Sequence, residues 1–296
     1  MNIEKYRGVF PAFYACYGTD GEIDLCAVRA FTRHLIDKKV KGLYVGGSSG
    51  ECIYQHVKER EKLLEAVMEE ARGKLTIIAH VGCNNTRESM QLAAHAESLG
   101  VDAIASIPPI YFHLPEYAIA QYWNDISSAA PNTDFVIYNI PQLAGVALTE
   151  SLFREMLKNP SMPTQDIDTF VRLGGERCVV FNGPDEQFVS GRAIGAAGGI
   201  GGTYGAMPEL FLKMDGLIRE SRYAEAAPIQ HEVNEIISEL CACRGNMYAV
   251  IKAVLKINEG LSLGSVRKPL IGLQPGDEPK VEIAAKHIRE AIAKYC

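Results

Sequence analysis

The chain has 296 residues, 47% of them apolar and 22% charged, with a formal net charge of −6. That length is too great for one ordinary sandwich or bundle and buries a large core without staples. The acidic balance lacks the basic footprint of a nucleic-acid or anionic-membrane binder, and no apolar run approaches the ~18 residues of a membrane span.

The opening stretch MNIEKYRGVF has no long apolar core after its basic residues, so no secretion signal is expected and the expected location is cytoplasmic. Eight scattered cysteines then read as reduced thiols. Cys241 and Cys243 form a CxC without a second Cys/His pair at zinc spacing, so no metal is expected.

In chain order, short apolar runs alternate with amphipathic stretches. The first strand is expected over Val9–Tyr17 and the first helix over Leu25–Lys38, with Val28, Phe31 and Leu35 on one stripe. Strand Gly42–Gly47 precedes helix Val57–Ala71, and strand Thr76–Val81 precedes helix Thr86–Leu99. Strand Ala103–Ile107 is followed by helix Pro115–Ala129, and strand Phe135–Ile140 by helix Thr149–Leu157 with Thr149 as N-cap. Strands Cys178–Asn182 and Gly198–Gly202 close the series before helix Pro208–Glu220. Nearly continuous β-branched strands at about a 30-residue repeat predict a parallel α/β fold, and a (β/α)₈ TIM barrel fits best. The barrel is expected over residues 1–221. A C-terminal helical appendix is expected over 222–296, with helices Tyr223–Cys241, Asn246–Glu259 and Lys280–Lys294.

One interval breaks the repeat. Between the strands at Phe135 and Cys178 stand two helical stretches, Thr149–Lys158 and Thr164–Leu173, joined only by Asn159-Pro160-Ser161-Met162-Pro163. Two prolines make a poor interior strand, so most of strand six is expected to be missing. Five extended residues reach about 16 Å, enough for a makeshift strand that crosses the barrel once.

The polar motifs follow the strands, at the ends where barrels keep their chemistry. Gly46-Gly47-Ser48-Ser49-Gly50-Glu51 offers two hydroxyls and exposed N–H groups suited to a carboxylate, or is a generic βα turn. Tyr138, in Tyr138-Asn139-Ile140-Pro141, is a core ring or a proton-transfer group. Gly183-Pro184-Asp185-Glu186 binds hydroxyls, ligates a metal, or places two acids in the first turn of a helix, where the dipole favours them. The glycine-rich run Gly198–Gly205 is a phosphate cradle or a tight turn lining a pocket. His80 and His113 lack spaced partners and read as structural.

Together, Gly46–Glu51, Tyr138–Pro141 with Gly145, Gly183–Glu186 and Gly198–Thr203 resemble the N-acetylneuraminate lyase and dihydrodipicolinate synthase family over nearly the whole chain. The resemblance implies a (β/α)₈ barrel, a homotetramer, and class I aldolase chemistry on pyruvate or another keto acid without a cofactor. It implies that Ser48 and Ser49 hold the pyruvate carboxylate, that Tyr138 shuttles protons, and that Tyr111 reaches into a neighbouring subunit's site. The synthase branch has an arginine shortly after the tyrosine motif, and Ile140–Gly145 contains none. Gly183, Asp185 and Glu186 resemble the lyase branch instead, whose acceptors suit the hydroxylated tail of a sugar acid. Gly202 stands where that lyase often has Ser, which keeps a simpler 2-keto-3-deoxy sugar acid open as substrate.

The family mechanism also implies a Schiff-base lysine at the end of strand six. The family spacing puts Asp166 there, and no lysine of this chain ends an apolar strand. The expectation is that a strand's worth of residues, about eight, is absent between Pro160 and Ser161, and the lysine with it. Stability below that of an intact homologue follows. The alternatives to a lyase are a non-catalytic sugar-acid-binding homologue and a synthase-like enzyme.

Overall fold

The computed structural model describes residues 3–156, 161–162, 167–175 and 178–296. The helical turn Ile3–Tyr6 is followed by β1 (Val9–Pro11), α1 (Leu25–Asp37), β2 (Gly42–Val45), α2 (Val57–Ala71), β3 (Thr76–His80) and α3 (Thr86–Leu99). Then come β4 (Ala103–Ser106), α4 (Glu116–Ser128), β5 (Asp134–Ile137), the short α5 (Pro141–Ala144), α6 (Glu150–Met156), β6 (Ser161–Met162) and α7 (Ile167–Gly174). The chain continues through β7 (Phe181–Asn182), α8 (Phe188–Ala193), β8 (Gly198–Gly201), α9 (Pro208–Arg219), α10 (Tyr223–Cys241), α11 (Met247–Glu259) and α12 (Glu278–Tyr295).

All strand pairs are parallel. β2 to β6 pair in sequence order, β1 pairs with β8, and β8 pairs with β7. A bridge between Ala12 and Tyr44 joins β1 to β2, so the order runs 7-8-1-2-3-4-5-6 around a barrel. Side-chain alternation builds two cores. Phe10, Tyr44, Ile78, Ala105, Val136 and Phe181 point inward and pack together. Val9, Leu43, Ile77, Ile104 and Phe135 point outward against the helices. Tyr6 closes the amino-terminal mouth, donating its hydroxyl to the Asp102 carbonyl at 2.8 Å and to Asp134 at 2.7 Å. Gly42 is required by close approach, since a Cβ there would sit 2.3 Å from the Phe10 ring. The caps are local: Asp24 opens α1, Asn85 opens α3, and Thr149 accepts from the Leu152 N–H at the start of α6, as expected.

Among the described residues the makeshift sixth strand is a pair: Ser161 and Met162 pair with Phe135 and Val136. No pairing joins β6 to β7 among the described residues. β7 spans Phe181–Asn182, against the five residues expected, and among the described residues it pairs with β8 alone. Lys158, Asp166 and the joint residues Asn159, Pro160 and Pro163 lie outside the described residues. The first strand is also shorter than its sequence suggests. Beyond Pro11 the backbone N–H groups turn to the carbonyls of Gly201, Tyr44 and then Leu263, so residues 12–17 stay buried while leaving the sheet for the C-terminal connection. No helix of the described residues is long and apolar enough to cross a membrane.

Candidate functional site

At the carboxyl end of β2 the chain makes consecutive tight turns, with the Gly50 N–H donating to the Gly47 carbonyl and the Glu51 N–H to the Ser48 carbonyl, both at 3.0 Å. Gly46 takes a φ of +74°, which only glycine adopts freely. These turns present Ser48 and Ser49. The Ser49 hydroxyl donates to the Tyr248 hydroxyl at 3.1 Å, and the Ser48 hydroxyl is hydrogen-bonded to the Tyr138 phenol.

Tyr138 follows β5, its backbone N–H donating to the Ser106 carbonyl at 3.0 Å. Its ring meets that of Tyr44 edge-on, with centroids 5.4 Å apart. Burial raises the Tyr138 phenol well above its ordinary range, so it stays protonated near neutrality.

After β7, a one-turn helix begins at Asp185. The carboxylate is buried and accepts from the Thr203 N–H at 2.7 Å and the Thr203 hydroxyl at 2.6 Å. Burial outweighs those bonds and pushes its pKa up to about 7. Asp185 is therefore more than a first-turn acid, because it ties the end of β7 to the turn after β8. Glu186 beside it is exposed.

The glycine-rich run Gly198–Gly205 lines the same pocket as a tight turn, with the Tyr14 hydroxyl donating to the Gly202 carbonyl at 2.6 Å. At Gly201 a Cβ would sit 2.0 Å from the Tyr204 ring and 2.3 Å from Asp185, which excludes any side chain.

A cavity of about 330 Å³ opens between these loops. Ser48, Ser49, Tyr138, Gly183, Asp185, Glu186 and Gly202 all line it. Tyr111 does not: it is 88% exposed, has a φ of +87°, and packs edge-on against Phe112. No lysine is among the described lining residues. Sequence reasoning placed Thr203 only within its glycine-rich run, and it missed Gln142 and, in the C-terminal helices, Ile237, Cys241, Met247 and Tyr248. The one available signal was Asn246, whose side chain accepts from the Tyr248 N–H and starts α11 there.

The structural reading of His80 fits its surroundings. Its Nδ1 donates to the Gly46 carbonyl at 3.0 Å, and its Nε2 accepts from the Ile107 N–H at 3.3 Å. Burial, with Arg60 alongside, lowers its pKa to about 3 and keeps it neutral. Away from the cavity, Glu232, Glu235 and His287 bring three potential metal-ligand atoms together, but both ring nitrogens of His287 are engaged by Glu232 and Glu239 at 3.0 Å.

Gly202 has room to grow. A Cβ there would meet the Ser49 and Tyr248 hydroxyls at 3.5 Å, an ordinary contact. Gly202→Ser should therefore shift the melting temperature by less than about 3 °C, a drop that scanning calorimetry would resolve if the pocket were tighter.

The dihydrodipicolinate synthetase family matches residues 5–288. The N-acetylneuraminate lyase of Mediterraneibacter gnavus is 63% identical over 302 aligned positions, covering 99% of this chain and 96% of the relative. The wild-type sialic acid aldolase structure of Ruminococcus gnavus superposes with a TM-score of 0.97 at 61% identity, covering 99% of this chain and all of that one. A catalytic lysine mutant of the same aldolase gives 0.98 at 61% identity, covering 100% of this chain and 99% of that one. This chain belongs to the dihydrodipicolinate synthetase family.

Proposed function

We propose that this pocket is built for the pyruvate-dependent cleavage or condensation of N-acetylneuraminate or a related 2-keto-3-deoxy sugar acid, and that this chain keeps the binding half of that function without its covalent half. Ser48 and Ser49 take the keto-acid carboxylate. Tyr138, hydrogen-bonded to Ser48, is the group that moves protons at the carbonyl and the leaving aldehyde. Asp185 and Glu186 accept hydrogen bonds from the sugar hydroxyls. Tyr111 would serve a neighbouring copy in a cytoplasmic homotetramer.

Two observations support the binding half: Ser48, Ser49, Tyr138, Asp185 and Glu186 line one cavity, and the relatives of highest similarity described above are lyases of this type. The loss of the covalent half is carried by the sequence: no lysine ends an apolar strand, and the family spacing from Tyr138 reaches Asp166. Carbon–carbon cleavage by this route needs a neutral amine that attacks the keto carbon, loses water and draws electrons into the resulting iminium. Lys252, the most buried lysine described, is held in an ion pair with Glu51 at 2.8 Å and is not a lining residue. The aligned relative also carries residues that this chain lacks, since 302 positions exceed the 296 residues here.

Borohydride reduction in the presence of pyruvate tests the reading. A reduced pyruvyl-lysine adds about 72 Da to the intact mass. The expected result is no adduct, with a rise in melting temperature on titrating N-acetylneuraminate that reports binding alone. An adduct mapped to any lysine of the cavity overturns the covalent loss, and the absence of any ligand-induced stabilisation overturns the binding half.

A further inference from the structure

A pair of buried charges beside the pocket has no part in the chemistry above. The Glu51 side chain is fully buried, and that of Lys252 is 1% exposed. One Glu51 oxygen accepts from Lys252 Nζ at 2.8 Å and the other from the Arg267 backbone N–H at 2.8 Å. Lys252 Nζ also donates to the Ser265 carbonyl at 2.7 Å and lies 5.0 Å from the centre of the Tyr17 ring. Glu51 holds a φ of +55°, a conformation uncommon for a residue with a Cβ. A buried ion pair is poor value as stability alone, because desolvation offsets most of its attraction, whereas it fixes geometry well.

What it fixes follows from where its two halves stand. Glu51 ends the turns that present Ser48 and Ser49, two residues beyond Ser49. Lys252 lies one helical turn beyond Tyr248, on the same face of α11. The Ser49 hydroxyl in turn donates to the Tyr248 hydroxyl. Loop and helix are therefore joined at two points, a polar contact inside the cavity and a buried ion pair outside it. We propose that Glu51 and Lys252 are positioning residues that set the Ser48–Ser49 pair at the distance from Tyr248 needed to receive a carboxylate. The proposal rests on the reading of that serine pair as the carboxylate site. A purely structural pair would influence every ligand alike, whereas a positioning pair affects the carboxylate end and spares the sugar end at Asp185 and Glu186.

The test compares wild type with the charge-free double variant E51Q/K252M and the shortened Glu51→Asp, which keeps the charge and draws the loop by one methylene. Pyruvate probes the serine end and N-acetylmannosamine the sugar end, both by ligand-observed NMR titration, with a melting curve for each protein. Positioning predicts that both variants bind pyruvate about tenfold more weakly or worse, while N-acetylmannosamine affinity stays within about twofold. Equal losses for the two ligands, or unchanged pyruvate affinity in either folded variant, would overturn it. Should the double variant fail to fold, Glu51→Asp decides; should both fail, the pair is structural and the proposal falls. Wild type that binds no pyruvate would instead refute the carboxylate site itself.

Discussion

Grafting the Mediterraneibacter gnavus segment that spans the joint in place of residues 159–162 is expected to convert this chain from no measurable lyase activity to a turnover in the ordinary enzyme range, about 1–10³ per second. The argument is additive in structure and all-or-none in chemistry. A full sixth strand would pair with β5 along its length and with β7, where among the described residues β6 pairs only with Phe135 and Val136. On the function proposed above, it would also supply the amine to a cavity that already holds Tyr138, Ser48 and Ser49. Covalent catalysis divides one high barrier into two lower ones, and no placement of hydroxyls substitutes for the iminium as electron sink. A second graft with its lysine changed to alanine separates the two gains. Both grafts should melt several degrees above the parent, since each gives the strands back their hydrogen bonds, and only the lysine graft should release pyruvate from N-acetylneuraminate. Activity in the alanine graft or in the parent, measured by pyruvate release, would show that another group forms the imine.

The barrel was legible because its strands are written plainly. Gly42–Val45, Thr76–His80 and Ala103–Ser106 are short apolar runs, and their helices carry one apolar stripe each. The first strand misled for the same reason: residues 12–17 are as apolar and buried as strand residues, yet past Phe13 they leave the barrel sheet and Tyr17 bonds to Leu263 of the C-terminal connection. Burial decides composition, while pairing is decided by neighbours distant in sequence. Ser48, Ser49, Asp185 and Gly202 were legible as residues that line the cavity because glycine and small polar side chains after a strand mark loops at the open end of a barrel. The environment of Asp185 was not. Its bonds come from Thr203, 18 residues away, and its burial comes from a cavity wall that no local pattern describes. Tyr248 was hidden in another way, because α11 carries a strong apolar stripe and reads as packing, while its first turn supplies a hydroxyl to the site. The break in the repeat around residues 159–163 was visible as spacing, while the pairing of Ser161 and Met162 with β5 was not, because it depends on neighbours distant in sequence.

Asp185→Asn is expected to change how stability depends on pH more than any other single substitution in the cavity. Its ordinary carboxyl value is 3.8, and in the folded chain burial pushes it up to about 7. Below pH 4 both states carry the proton, and the site contributes nothing to the slope. Between about pH 4 and 7 the unfolded chain gives up its proton while the folded chain keeps it, so stability falls as pH rises through that window. Above pH 7 the folded chain also carries the buried charge, and the accumulated loss is on the order of 4 kcal/mol, an upper figure for a group that opens onto a solvent-reached cavity. Asparagine cannot ionise, and its carbonyl can still accept from the Thr203 N–H. Urea unfolding at pH 4.5 and pH 8 should thus show the variant gaining on wild type by a few kcal/mol at the higher pH, with little difference at the lower. A stability difference that is the same at both pH values would mean that Asp185 ionises in the folded chain as easily as in water, and that the two Thr203 bonds, not burial, govern its charge.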